Sequence, residues 1–156
     1  MFLSDDSFTQ RTSAQRGVNG MRARSPQGQV FSQRLNDGGL QFQHCKECQA
    51  IQYPPAEICR RCLSDELNWQ SGAPSATVIA CVAVHRSYAA DFADGGPWWV
   101  ASVSLDDGVV CYTHAIDYLP AGSRVHLVAI EDRLGDGVLG CVVSLDEQSA
   151  LQAKFR

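Results

Sequence analysis

Four of the seven cysteines in this sequence form two closely spaced pairs, Cys45-x2-Cys48 and Cys59-x2-Cys62. In each pair the chain turns tightly enough for two thiolates to face one ion, and the ten intervening residues let the second turn fold back opposite the first. Four thiolates arranged as a tetrahedron leave no position open for water or substrate, which is the geometry zinc prefers in structural sites. The spacing therefore predicts a structural zinc site. An iron centre of the rubredoxin type uses the same ligands and is the alternative.

The start of the chain bears on the redox state of these thiols. The sequence MFLSDDSFTQRTS has no basic leader followed by an apolar run, so we expect no secretory signal and a cytoplasmic location. Cytoplasmic thiols are kept reduced, which favours metal binding over disulfide formation. The longest apolar stretches fall far short of the roughly 20 residues that a membrane-spanning helix needs, so no membrane insertion is expected.

Residues that could contact a ligand or a partner protein lie in and beyond the cysteine-rich segment. The sequence contains no nucleophile elbow, no zinc-hydrolase motif and no glycine-rich phosphate loop, so we expect no catalytic residues and no independent enzymatic activity. Two consecutive tryptophans on a strand point to opposite faces, and the one outside the core can anchor an interface or stack on a ligand unless ordinary packing covers it. The candidate ligand or partner contacts are Tyr53, His85, Arg86, Phe92, Trp98 and Trp99.

Short apolar segments of strand length, separated by Gly, Pro and Asp, occupy residues 75–145. We predict five strands, among them an alternating strand from Trp98 to Leu105 followed by a hairpin turn at Asp106-Asp107-Gly108. Five closely spaced antiparallel strands favour a small closed barrel of the OB type, and a small sandwich is the competing shape. The remaining cysteines fall in predicted strands, where we expect them to behave as small apolar side chains of the barrel wall; they are Cys81, Cys111 and Cys141.

Composition divides the 156-residue chain into three parts. Residues 1–28 are polar and are expected to form a flexible tail, residues 29–70 a short helix and the metal ribbon, and residues 71–148 the barrel. The sequence after residue 146 reads as a polar surface tail. The segment 71–150 carries three arginines against ten acidic residues, a balance that disfavours nucleic-acid binding.

Several motifs together resemble one known family. They include Phe31-x3-Leu35-x3-Gly39-Leu40, the two cysteine pairs with Tyr53-Pro54-Pro55 between them, Trp69-x-Ser71-Gly72, Val84-His85-Arg86, Pro97-Trp98 and Val103-x-Leu105-Asp106-x-Gly108. In this order they resemble the acyl-CoA-associated OB-fold proteins, in which a rubredoxin-like zinc ribbon is joined to an OB barrel. The resemblance implies a mainly β chain and a noncatalytic accessory subunit. Such a subunit would bind or guide CoA thioesters for a thiolase-like or hotdog-fold hydratase-like partner, including partners in lipid or steroid degradation.

The chain departs from this family at four positions. The family usually has glycine where this chain has Gln49, Leu63 and Ala76, and arginine where it has Ala56. Because positive φ angles are costly for residues other than glycine, the first two replacements are expected to strain the turns around the cysteines. Two alternative functions remain: a zinc-ribbon and OB nucleic-acid-binding protein, and a freestanding enzyme that uses a surface histidine.

Overall fold

A short helix precedes the cysteine-rich segment, as the sequence predicts. In the computed structural model, which describes residues 24–87 and 92–156, helix α1 spans Pro26–Asn36. The Ser25 side chain accepts a hydrogen bond from the Gly28 N–H and caps its start, and Gly38 ends it with a φ of 79°. The first 23 residues of the predicted tail lie outside the described residues. Arg24 forms an ion pair of 3.0 Å with Asp136, so the described part of that segment contacts the barrel.

The cysteine-rich segment folds around a three-stranded antiparallel sheet. Strand β1 (Gln41–Cys45) is central, and it pairs with β2 (Ile51–Gln52) on one side and β3 (Leu67–Ser71) on the other. The first cysteine of the site therefore ends β1, while the loop between the two pairs follows the two-residue β2. Gly72 leads out of this sheet toward the barrel, and a Cβ there would lie 2.3 Å from Cδ2 of Phe42. Only glycine fits this junction.

The second half of the chain forms a closed five-stranded barrel in the order β4-β5-β6-β8-β7. The first strand closes the barrel by pairing Ser75 with His126, and the third and fifth barrel strands run parallel where His114 lies opposite Gly140. This order is that of the OB fold, so the predicted combination of zinc ribbon and five-stranded barrel is confirmed. The barrel strands are β4 (Ser75–Val84), β5 (Trp98–Leu105), β6 (Val110–Ala115), β7 (Arg124–Glu131) and β8 (Gly137–Val142).

The end of the chain differs from the prediction. Instead of a surface tail after residue 146, a 3-10 turn (Leu145–Glu147) leads into helix α2 (Gln148–Phe155). Leu151 and Phe155 of this helix are fully buried against the outside of the barrel. The helix is therefore part of the fold. The predicted barrel segment, residues 71–148, ends at the first residue of this helix, whereas the last barrel strand ends at Val142.

The apolar side chains form two clusters, one on each side of the barrel wall. The first fills the barrel and continues without a break into α1 and the ribbon, since Phe31 and Phe42 belong to the same cluster as Val103. The second lies between the outer face of the barrel and α2. The alternation predicted for β5 is confirmed for its inward residues, which are Ala101, Val103 and Leu105. None of the helices in the described ranges is long and apolar enough to cross a membrane.

Candidate metal centre and adjoining groove

The two cysteine pairs sit in turns of the same construction. In the first, the Gln49 N–H donates to the carbonyl of Cys45 at 3.0 Å, and in the second the Leu63 N–H donates to the carbonyl of Cys59 at 2.9 Å. Gln49 and Leu63 both adopt left-handed backbone, with φ angles of 59° and 64°. The turns therefore keep the conformation that glycine favours, although neither position holds glycine.

These turns bring the four cysteine sulfurs into one cluster. The Sγ atoms of Cys45 and Cys62 are 3.5 Å apart, those of Cys48 and Cys59 are 3.6 Å apart, and all four lie within 4.8 Å of one another. Zinc–sulfur bonds of about 2.3 Å place tetrahedral thiolates about 3.8 Å apart, so the four side chains fit a four-coordinate metal ion. Four protein ligands leave no coordination position open for water or substrate, which is typical of structural zinc sites.

The surroundings of the sulfurs favour thiolate at one cysteine and oppose it at another. The backbone N–H groups of Cys62 and Arg61 point at the Cys59 sulfur and lower its pKa to about 6. At Cys62 the Ser64 N–H favours the thiolate, but desolvation and the neighbouring thiols outweigh it and raise the pKa to about 12. A divalent ion removes this conflict because it binds all four sulfurs as thiolates. Lys46, which lies between the cysteines of the first pair, forms a 2.9 Å ion pair with Glu66.

Two small cavities on the outer surface of the barrel share two lining residues, and we name them together the lateral groove. The first, of about 220 Å³, lies between α1 and the barrel and is lined by Arg24, Phe31 and Tyr53. The second, of about 230 Å³, lies between the barrel and α2. Both are lined by Val100 and His114, which are opposite each other on β5 and β6. A larger cavity of about 670 Å³, between α1, β7 and α2, contains none of the predicted contact residues.

The second cavity is predominantly aromatic and aliphatic. Its walls include Phe92 and Trp98, whose rings make an edge contact with centroids 5.6 Å apart, and Phe155 of α2, whose centroid is 5.1 Å from that of Trp98. The Trp98 indole N–H donates to the carbonyl of Phe92 at 2.9 Å, so its single polar group is satisfied. The structure therefore places an apolar pocket around a tryptophan whose orientation is fixed.

The lateral groove brings together three of the six predicted contact residues. Phe92 and Trp98 line the second cavity and Tyr53 lines the first, where burial is the main cause that raises the pKa of its phenol to about 12. The other three lie outside the groove: His85 and Arg86 are exposed just beyond the end of β4, and Trp99 packs against Tyr118 and the barrel interior.

Sequence reasoning did not identify several residues of both sites. His114 and Phe155 line the groove, with ring centroids 4.5 Å apart, but neither carries a motif, and Phe155 lies in a segment that reads as a polar tail. Gln43 and Gln52 are buried beside the metal centre. These two glutamines are nine residues apart on two short strands, and nothing in that spacing predicts that their side chains are buried.

Comparisons with known proteins agree with this architecture. Residues 32–68 match the family model of the ChsH2 rubredoxin-like zinc ribbon domain. A chain of the Ltp2-ChsH2(DUF35) aldolase has a similar structure, with a TM-score of 0.65 and 21% sequence identity over 78% of this chain and 97% of that chain.

A DUF35 family protein of unknown function from Sulfolobus solfataricus is also similar, with a TM-score of 0.50 and 16% identity over 66% of this chain and 78% of that chain. No curated protein matches the sequence. The resemblance found in the sequence is thus confirmed: residues 32–68 match the rubredoxin-like zinc ribbon of ChsH2, and the chain has the fold of the DUF35 proteins.

Proposed function

We propose that this protein is a noncatalytic accessory subunit whose ribbon is held by zinc and whose barrel binds the acyl part of a CoA thioester for a partner enzyme. The observation that carries the proposal is the apolar second cavity of the lateral groove, built around Trp98 on a fold shared with a chain of an aldolase complex. The partner is a thiolase-like or hydratase-like enzyme of lipid metabolism. The metal supplies no chemistry; it orders the ribbon.

The shape and chemistry of the groove support a thioester as the ligand. Phe92, Trp98 and Phe155 offer an apolar pocket for an acyl chain, and burying each methylene contributes about 0.8 kcal/mol. Val100 and His114 also line the first cavity, where Arg24 is ion-paired with Asp136. The second cavity thus offers the apolar surface that an acyl chain requires.

Thioester binding is tested by blocking the groove. Val100 lines both cavities, so Val100→Phe fills their junction, while Val110→Phe introduces the same ring at an exposed position of the neighbouring strand and serves as the control. Calorimetric titration with octanoyl-CoA should show binding to the wild type and to V110F, and none to V100F. Equal binding by all three proteins would place the thioester site elsewhere.

The alternative ligand and the partner are tested separately. Titration with single-stranded oligonucleotides would favour the nucleic-acid alternative if binding were steeply salt-dependent and thioester binding were absent. Purification of the tagged chain at native expression level should recover a thiolase-type or hydratase-type enzyme in stoichiometric amount. Recovery of the chain alone, with turnover by the isolated protein, would favour the freestanding enzyme.

A further inference from the structure

The loop that leads from β2 to the second cysteine pair is held by a side-chain amide. The Gln52 side chain donates to the carbonyl of Ile58 at 3.3 Å and accepts from the N–H of Arg60 at 3.0 Å. These two peptide groups flank Cys59, which is fully buried. A single amide thus holds the backbone on both sides of Cys59, because its N–H group binds the peptide before this cysteine and its oxygen binds the peptide after it.

A second buried glutamine holds the first in place. Gln43, which is 2% exposed, accepts from Gln52 at 2.9 Å and from the N–H of Ala56 at 2.8 Å. It donates to the carbonyl of Ala56 at 3.0 Å and to the side chain of Gln27 at 3.2 Å. Both donors and both lone pairs of this amide are therefore used, which determines its orientation and in turn the orientation of Gln52. We name Gln43 and Gln52 the amide clamp.

We propose that the amide clamp sets the metal affinity of the ribbon by positioning the second cysteine pair before the ion binds. The loop it holds includes Cys59 and begins the turn that presents Cys62. Without the clamp this loop would be ordered only when the metal binds, and the lost conformational freedom would count against binding. Groups that orient metal ligands from outside the coordination sphere typically change metal affinity by about 10- to 100-fold.

The clamp is tested by zinc titration of three variants against a chelating dye. Gln52→Met and Gln43→Met keep the length of the side chain and remove its hydrogen bonds, while Gln70→Met makes the same change at an exposed position of β3 whose amide contacts Asn68. We expect Q52M and Q43M to bind zinc about 10- to 100-fold more weakly than the wild type and Q70M to bind normally. Affinity of both clamp variants within about twofold of Q70M would overturn the proposal.

Cobalt spectroscopy separates positioning from loss of the fold. If the clamp positions the ligands, cobalt-loaded Q52M keeps the absorption of four tetrahedral thiolates, and only its affinity and its rate of metal release change. Loss of this absorption at saturating cobalt, with the barrel still folded by circular dichroism, would show that the glutamines are needed for the ribbon itself and would overturn the proposal. Gln43 orients Gln52 and also bonds Ala56 directly, so the double variant should lose less affinity than the product of the two single losses, and losses that multiply fully would contradict the coupling of the two amides in one clamp.

Discussion

Replacing Leu63 by glycine should strengthen zinc binding. Leu63 follows the fourth cysteine with a φ of 64°, and its side chain is 71% exposed, so little packing is lost on removing it. Left-handed backbone costs a non-glycine residue roughly 1–2 kcal/mol. Replacing Leu63 by glycine removes this cost, but glycine also gives the unfolded chain more conformational freedom, which offsets about 0.5–1 kcal/mol of the gain. The net stabilisation of the turn is therefore about 0.7 kcal/mol at the middle of these ranges, and if the turn becomes ordered on metal binding, zinc affinity should rise about threefold.

The comparison that isolates backbone strain is Leu63→Ala. Alanine removes the exposed apolar side chain but keeps the Cβ, so it should bind zinc no more tightly than the wild type. At Gln49 the gain from glycine should be smaller, because its side chain donates to the carbonyl of Lys46 at 2.8 Å and that hydrogen bond would be lost. Chelator competition measures all three variants. If L63G and L63A bind zinc equally, strain at this position does not govern the stability of the turn.

Three further results are expected. Phe155→Ala should lower the free energy of unfolding by about 3–5 kcal/mol in urea, and Leu145→Ala, at an exposed position, by less than about 0.5 kcal/mol; similar effects would mean that α2 is not part of the core. Because burial raises the pKa of Tyr53 to about 12, its stabilising effect is complete below the unfolded value of about 10 and is lost as the pH rises toward 12. The stability of the wild type and of Tyr53→Phe should therefore diverge only above about pH 10, and parallel curves would refute this. Thiols are mostly protonated at neutral pH and bind zinc as thiolates, so zinc binding should release protons, and calorimetry in two buffers of different ionisation enthalpy should detect that release as a difference in apparent enthalpy; equal enthalpies would mean that the thiols do not bind the ion.

The parts of this structure that the sequence predicts are those set by local spacing. The two cysteine pairs specify the metal centre because each x2 spacing forms its own turn, whatever the rest of the chain does. The strand from Trp98 to Leu105 has the predicted bounds because its alternation coincides with one buried face. The turn at Gly108 has the positive φ, 87°, that its Asp-Gly sequence favours.

The parts that the sequence does not predict depend on surfaces assembled from distant segments. In α2 only Leu151 and Phe155 are buried, and one pair at a spacing of four is too short a pattern to indicate an amphipathic helix. Their burial becomes favourable because Val128 and Ile130 face outward on β7 and leave an apolar surface that needs cover. Trp98 illustrates the same dependence: its location outside the barrel is evident from alternation, but whether it is covered depends on Phe155.

The apolar core is continuous from the ribbon to the barrel. Packing therefore links the ribbon that carries the four cysteines to the lateral groove. Phe31 of α1 contacts both the ribbon ring of Trp69, at 6.1 Å, and that of Tyr53, at 5.6 Å, and it lines the first cavity of the groove. The other side of α1 lies so close to the barrel that a Cβ on Gly137 would be 2.3 Å from the carbonyl oxygen of Ser32. Tyr53 of the ribbon thus forms part of the wall of the first cavity, whereas the second cavity lies between the barrel and α2. A change in the ribbon can therefore reach the first cavity through Phe31 and Tyr53 without altering the second cavity.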